Sequence, residues 1–207
     1  GASGFYRYIQ EGCAPGRPWR SRHGGIRDGG RLEAMVVDGI TRKDLTGGFA
    51  DGETFSVSWT PVADPEGQLG QAFDSAPEAA VFARGEGCFF ESGLIYFIST
   101  SGGSASLGQV WVYDPEGETL TMLYESRSAA ILDMPDNIAV SSSGGIILCE
   151  DGGADPQRMI GLAQDGTTFE FAQNLIDLRP GDIDLIDAVF PGTKANFWDD
   201  PVGGYSG

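Results

Sequence analysis

The chain has 207 residues, 30 acidic against 13 basic side chains, a net charge of −17 and an isoelectric point near 4.2. Such a surface repels a phosphodiester backbone and argues against a nucleic-acid partner, whereas its carboxylates suit hard cations such as calcium. No apolar run reaches the roughly 18 residues of a membrane span, and 32 glycines, mostly in pairs and turn-like clusters, fit many short strands joined by tight turns.

In chain order, "GFYRYIQ" and "RLEAMVVD" read as the third and fourth strands of a four-stranded unit. The first two strands of that unit are expected before Gly1. Between the two lies a long basic loop, "EGCAPGRPWRSRHGGIRDGG", expected to be mobile, and together they make residues 1–48 half a unit. Residues 49–85 read as a connecting segment with a short helical candidate, "APEAAVFA". Residues 86–135 then hold four strands in succession: "GCFFES", "LIYFIST", "GQVWVYD" and "TLTMLYES". Residues 136–174 hold four more: "NIAVSSS", "GIILCE", "RMIGLAQ" and "TTFEFAQ". The tail, 175–207, is irregular, with a second helical candidate in "NLIDLRPGDIDLIDAVF".

Trp111 and Tyr113 are expected in the core or between units. Cys88 and Cys149 lie in apolar strand contexts and are expected to be core residues. With Cys13 they make an odd set without a CxxC pair, which rules out a zinc knuckle or thioredoxin motif. The single histidine, His23, leaves no histidine-rich metal site.

The two four-stranded sets align. Gly93 answers Gly144 and Gly117 answers Gly166, offsets of about 51 and 49 residues, near the ~40–50 of a propeller blade. Repeated four-stranded antiparallel units read as an all-β chain of β-propeller blades; a β-sandwich with similar hairpins is the alternative. About two and a half blades are counted here, and propellers close with roughly four to eight. The chain is therefore expected to be part of a larger propeller, or to meet another chain that completes the ring, because open blades leave strand edges prone to association.

First strands of propeller blades line the central channel. Arg84 and Glu86 stand at the first such strand, two apart and so on one face. Asp136 and Asn137 hold the matching place in the next unit, and Glu150 and Asp151 close its second strand. Carboxylates gathered from several strands make an oxygen-rich cation site. An arginine beside them can hold a phosphate by two parallel hydrogen bonds, and cations there polarise a phosphoryl oxygen. The same residues also suit plainer roles: Arg84 and Glu86 a surface ion pair worth under ~1 kcal/mol, "PDN" an Asx turn, "EDGG" a strand exit. "GGSASLG" lacks GxxxxGK[ST] and a following helix, so it is no P-loop.

Eight segments in order, "SGFYRYI", "GGRLEAMVV", the R-x-EG of Arg84 to Gly87, "YFISTSGG", "GQVWVYDP", "LYES", "PDNIAVSSSGGIILCEDG" and "GLAQDGTTFEFAQN", resemble PhoX-type alkaline phosphatases over about Gly4 to Asn174. The resemblance implies a monomeric, exported (periplasmic or secreted) six-bladed propeller that hydrolyses phosphate monoesters with a cluster of calcium and ferric ions. It implies that Arg84 contacts the substrate phosphate and that Glu86 ligates metal. By the same resemblance Asn137 contacts phosphate or the metal shell, Asp136 binds calcium, and Glu150 and Asp151 belong to the calcium shell. The family's thiolate iron ligand and further metal carboxylates lie upstream of the "GFYRY" segment and have no counterpart here. Cys13 stands in the wrong context to replace that thiolate, and the segment after "FAQN" departs from the pattern. The chain alone is therefore expected to be inactive or to bind metal weakly. A calcium-dependent lactonase-like propeller and a non-catalytic binding or scaffold propeller are the alternative functions.

Overall fold

The structure, a computed structural model, describes residues 2–10, 29–153, 156–175 and 180–191. The basic loop at 11–28, with Cys13 and His23, lies outside them. Thirteen strands and one α-helix are described. A seven-stranded antiparallel sheet carries, in spatial order, β2 (Tyr6–Gln10), β3 (Gly30–Val37), β4 (Thr54–Pro61), β9 (Thr119–Glu125), β8 (Gln109–Asp114), β7 (Leu94–Ser99) and β6 (Gly85–Glu91). A four-stranded sheet follows as β10 (Pro135–Val140), β11 (Ile146–Glu150), β12 (Arg158–Leu162) and β13 (Thr168–Gln173). A two-stranded pair joins β1 (Ala2–Ser3) to β5 (Phe82–Ala83). The chain is mostly β, and its sheets, one curled and one a four-stranded meander, are partial propeller blades.

All ten strands expected from the sequence form, nine within a residue or two of their expected bounds and β10 ending at Val140, three residues before the expected end of "NIAVSSS". Three were not expected: the two-residue β1 and β5, and the long β4. Thr54–Pro61 alternates Phe55, Val57 and Trp59 inward with polar residues outward, a plain period-two pattern. Its partners are β3 on one side and β9 on the other, so it bridges two units and belongs to neither set of four. The helical candidate "APEAAVFA" does not form a helix. Beyond a single turn, Ala79 N–H to Ala76 O, its backbone bonds go outward: Ala80 N–H to Met35 O, Val81 N–H to Lys43 O and Leu45 N–H to Val81 O. The second candidate does form, as α1 (Pro180–Val189).

Alternation along β7 to β9 sends side chains into two cores. Phe97, Trp111, Tyr113, Leu120 and Met122 face Met35, Val57 and Phe82 on one side. Ile98 and Val110 face Ile138, Leu148 and Ile160 of the second sheet on the other. Trp111 and Tyr113 are thus core residues, as expected, at 0% and 3% exposure. Cys88 and Cys149 are not: Cys88 is exposed and Cys149 half-buried. For Cys88 the reason is the edge position of β6, where Phe89 takes the inward side and Cys88 the open one; for Cys149 it is alternation along β11, where Leu148 and Glu150 on either side take the buried face.

The alignment of the two units holds at the first hairpin, where Gly93 and Gly144 both take positive φ (88° and 85°). At the third turn the left-handed residue opposite Gly166 is Glu118 (φ 46°), one place past Gly117. Glu118 is held there by Tyr113 Oη (2.6 Å) and Trp59 Nε1 (3.0 Å), both donating to its Oε2.

A buried carboxylate ties the loops between strands. Glu125 accepts from Phe49 N–H (3.1 Å), Ser104 N–H (3.0 Å) and Ser104 Oγ (2.6 Å). Burial alone raises its pKa, but these donors outweigh burial and leave it below the usual glutamate value. A depressed folded pKa adds stability above the unfolded glutamate pKa of about 4.3, and that stability is lost as pH falls through the folded value. Glu125→Gln should therefore be less stable than wild type at pH 7 by about 1–3 kcal/mol. In urea melts that difference should shrink as the pH drops below the unfolded value; a constant difference at every pH contradicts the assignment.

Candidate functional site

β6 opens with a kink. Arg84 takes φ +49°, a left-handed conformation that costs an L side chain free energy and needs outside support. Support is present on every side. Gly85 N–H donates to Ser3 Oγ (2.7 Å), Thr100 N–H donates to Arg84 O (2.9 Å), and Ala83 N–H donates to Ser99 Oγ (3.0 Å).

The second unit repeats this entry. Met134, 50 positions on, takes φ +50°. Asp151 N–H donates to its carbonyl (3.0 Å), the role Thr100 has for Arg84. Asp133 N–H donates to Glu150 Oε1 (2.8 Å), the role Ser99 has for Ala83. Glu150 therefore stands where Ser99 stands. Its side chain is fully buried, and Arg158 grips it twice, through Nε (2.8 Å) and Nη2 (2.6 Å).

Past each kink the strand bulges. Gly85 pairs with Ser99 and Cys88 with Phe97, which leaves two residues, Glu86 and Gly87, opposite Ile98 alone. Pro135 pairs with Glu150 and Asn137 with Cys149, which leaves Asp136 unpaired. Bulges re-aim side chains, and here both re-aimed positions carry acids. The two bulged strands also touch. A Cβ on Gly87 would stand 2.8 Å from Asn137 Cα and 2.8 Å from Asp136 O, both backbone atoms, so only glycine allows this approach.

Five of the six expected site residues are brought together by this contact. Arg84 Nη2 lies 3.6 Å from Asp151 Oδ2 and 3.9 Å from Glu86 Oε1. Asp136 feels the same charges. Desolvation first, then Asp151 and Glu86, push its pKa up, and Arg84 only partly offsets them. Asn137 sits beside Gly87, exposed, its Oδ1 accepting from Ile138 N–H (2.8 Å). Glu150 stays apart in its ion pair with Arg158. Sequence reasoning missed Ser3 and Ser99, which clamp the Arg84 kink; only their place beside glycine- and aromatic-rich strand ends could have flagged them.

The ion pairs to Arg84 are longer than hydrogen bonds, so its N–H donors are not consumed by them. Three carboxylates against one guanidinium leave an excess of negative charge, and the donor chemistry is that of hard cations. Among the described residues, however, no three of His, Cys, Asp or Glu converge closely enough to hold a metal ion. The carboxylates fit a cation in kind without closing a ligand sphere.

A family model, that of the alkaline phosphatase PhoX, matches residues 1–188. No curated protein and no solved structure matches the chain.

The charge coupling is measurable. Asp151→Asn should lower the Asp136 titration point and Arg84→Gln should raise it, followed by carboxyl carbon NMR against pH. A raised folded pKa means Asp136 costs stability at neutral pH, and the cost is relieved as pH falls through that value. An Asp136 titration indifferent to both substitutions contradicts the cluster.

Proposed function

Because the chain belongs to the PhoX alkaline phosphatase family, we propose that it acts on phosphate monoesters at the Arg84 cluster, with Arg84 as the phosphate-holding group. The observation that carries this reading is an arginine on a strained, clamped backbone whose guanidinium meets carboxylates only at 3.6 and 3.9 Å. Its fork can give two parallel hydrogen bonds to phosphate oxygens. The side-chain amide of Asn137, an exposed residue beside Gly87, adds a donor to the same anion.

Glu86, Asp136 and Asp151 supply carboxylate oxygens to calcium and ferric ions. Such ions, when bound, neutralise the phosphate and polarise its P–O bond. They are needed on simple electrostatic grounds: a phosphate dianion is repelled by three carboxylates unless cations offset them. Glu150 belongs with the strand scaffold and holds Asp133 and Arg158 in place. Since the described residues do not close a metal sphere, further ligands come from residues outside them or from another chain joined at the open sheet edges, and this chain alone turns over slowly or not at all. An exported site of action, periplasmic or secreted, goes with this reading.

The test is phosphate binding by equilibrium dialysis in calcium and ferric iron, beside para-nitrophenyl phosphate turnover. Phosphate should bind with metal and be released by chelator. Arg84→Ala should weaken binding by on the order of tenfold or more, as the loss of charge-assisted hydrogen bonds implies. Phosphate binding that ignores both chelator and Arg84→Ala overturns the proposal.

A further inference from the structure

A cavity of about 250 Å³ opens against the Arg84 cluster. Gly85 and Glu86 line it together with Phe5, Tyr6, Phe82, Cys88 and Phe97. The lining carboxylate of Glu86 is the one 3.9 Å from the Arg84 guanidinium, so Glu86 links the cavity to the phosphate-holding arginine. We propose that this cavity receives the leaving group of the ester, and that the chain's substrates are aryl phosphates with a single ring. This rests on the phosphatase reading above.

Three features select that class. The cavity is smaller than the roughly 300–1,000 Å³ that holds drug-sized ligands, and so suits one ring. Its walls are rigid aromatics already packed on one another: Phe5 stacks on Phe97 at 4.3 Å between centroids, and Phe82 meets Phe97 edge-on at 5.2 Å. Aromatic walls favour an incoming ring in offset or edge-on contact. Tyr6 brings the one side-chain hydroxyl of the lining, too little to dress a polyol, and the one charged lining group, Glu86, stands beside the arginine. The charge pattern matches a ligand apolar at one end and anionic at the other.

Cys88 reports on occupancy, because it lines the cavity and is exposed. The experiment is alkylation of the chain with iodoacetamide in calcium, with peptide mass spectrometry reading Cys88 and Cys149 separately. Phenyl phosphate should slow Cys88 alkylation about tenfold, the affinity decade that burying one ring supplies. Glycerol phosphate at the same concentration should leave it unchanged, and Cys149 should be indifferent to both. No protection by phenyl phosphate, or equal protection by glycerol phosphate, overturns the proposal. Phenol separates the two readings. If phenol protects as well as phenyl phosphate, and Arg84→Ala changes neither, the cavity accepts the ring while the phosphate assignment of Arg84 fails.

Discussion

One backbone contact governs the site. β6 and β10 come so close at Gly87 that a single added methyl carbon would meet Asn137 Cα and Asp136 O at 2.8 Å. Everything polar at the site is indexed to that contact. Arg84 and Glu86 sit just before it on one strand, Asp136 and Asn137 beside it on the other, and Asp151 leaves the neighbouring β11. Apolar burial between the two sheets, through Ile98, Val110, Ile138 and Leu148, presses the strands together and supplies the force. The glycine permits the fit, and the bulges turn the acids toward Arg84.

The same local design is used twice. Each unit enters its first strand through a left-handed residue, fastens the residue before it to the end of the second strand, then bulges. In the first unit the fastener is a serine, and in the second it is Glu150 with its Arg158 partner. This explains why two neighbouring acids, Glu150 and Asp151, end in different places. Glu150 faces into the sheet as a structural carboxylate, while Asp151 is the first residue past the strand and reaches Arg84.

Much of this was legible in the residues. Period-two alternation and glycine-rich turns marked ten strands, and the repeat of about fifty residues marked the units. The R-x-EG stretch and "PDN" marked where the charged groups meet. Other features had weaker signals. Phe55, Val57 and Trp59 alternate clearly, yet a count in fours has no slot for a strand bridging two units. The left-handed turn at Arg84 leaves no mark at all, since nothing in an arginine announces positive φ; it follows from Ser3, Ser99 and Thr100, distant in sequence or across the sheet. Cys88 looked like a core residue because its neighbours are apolar, and only the edge position of β6 exposes it. Three carboxylates around one guanidinium then leave surplus negative charge at the strand contact, the donor chemistry of hard cations.

If strand contact at Gly87 builds a cation site, then prying the strands apart should empty it while the fold survives. Calcium titrated calorimetrically into the wild-type chain and into Gly87→Ala, with circular dichroism confirming that both are folded, tests this directly. Calcium should bind the wild type and bind the folded Gly87→Ala protein on the order of tenfold more weakly, as displaced carboxylate ligands imply. Equal calcium affinity in the two folded proteins would contradict the account.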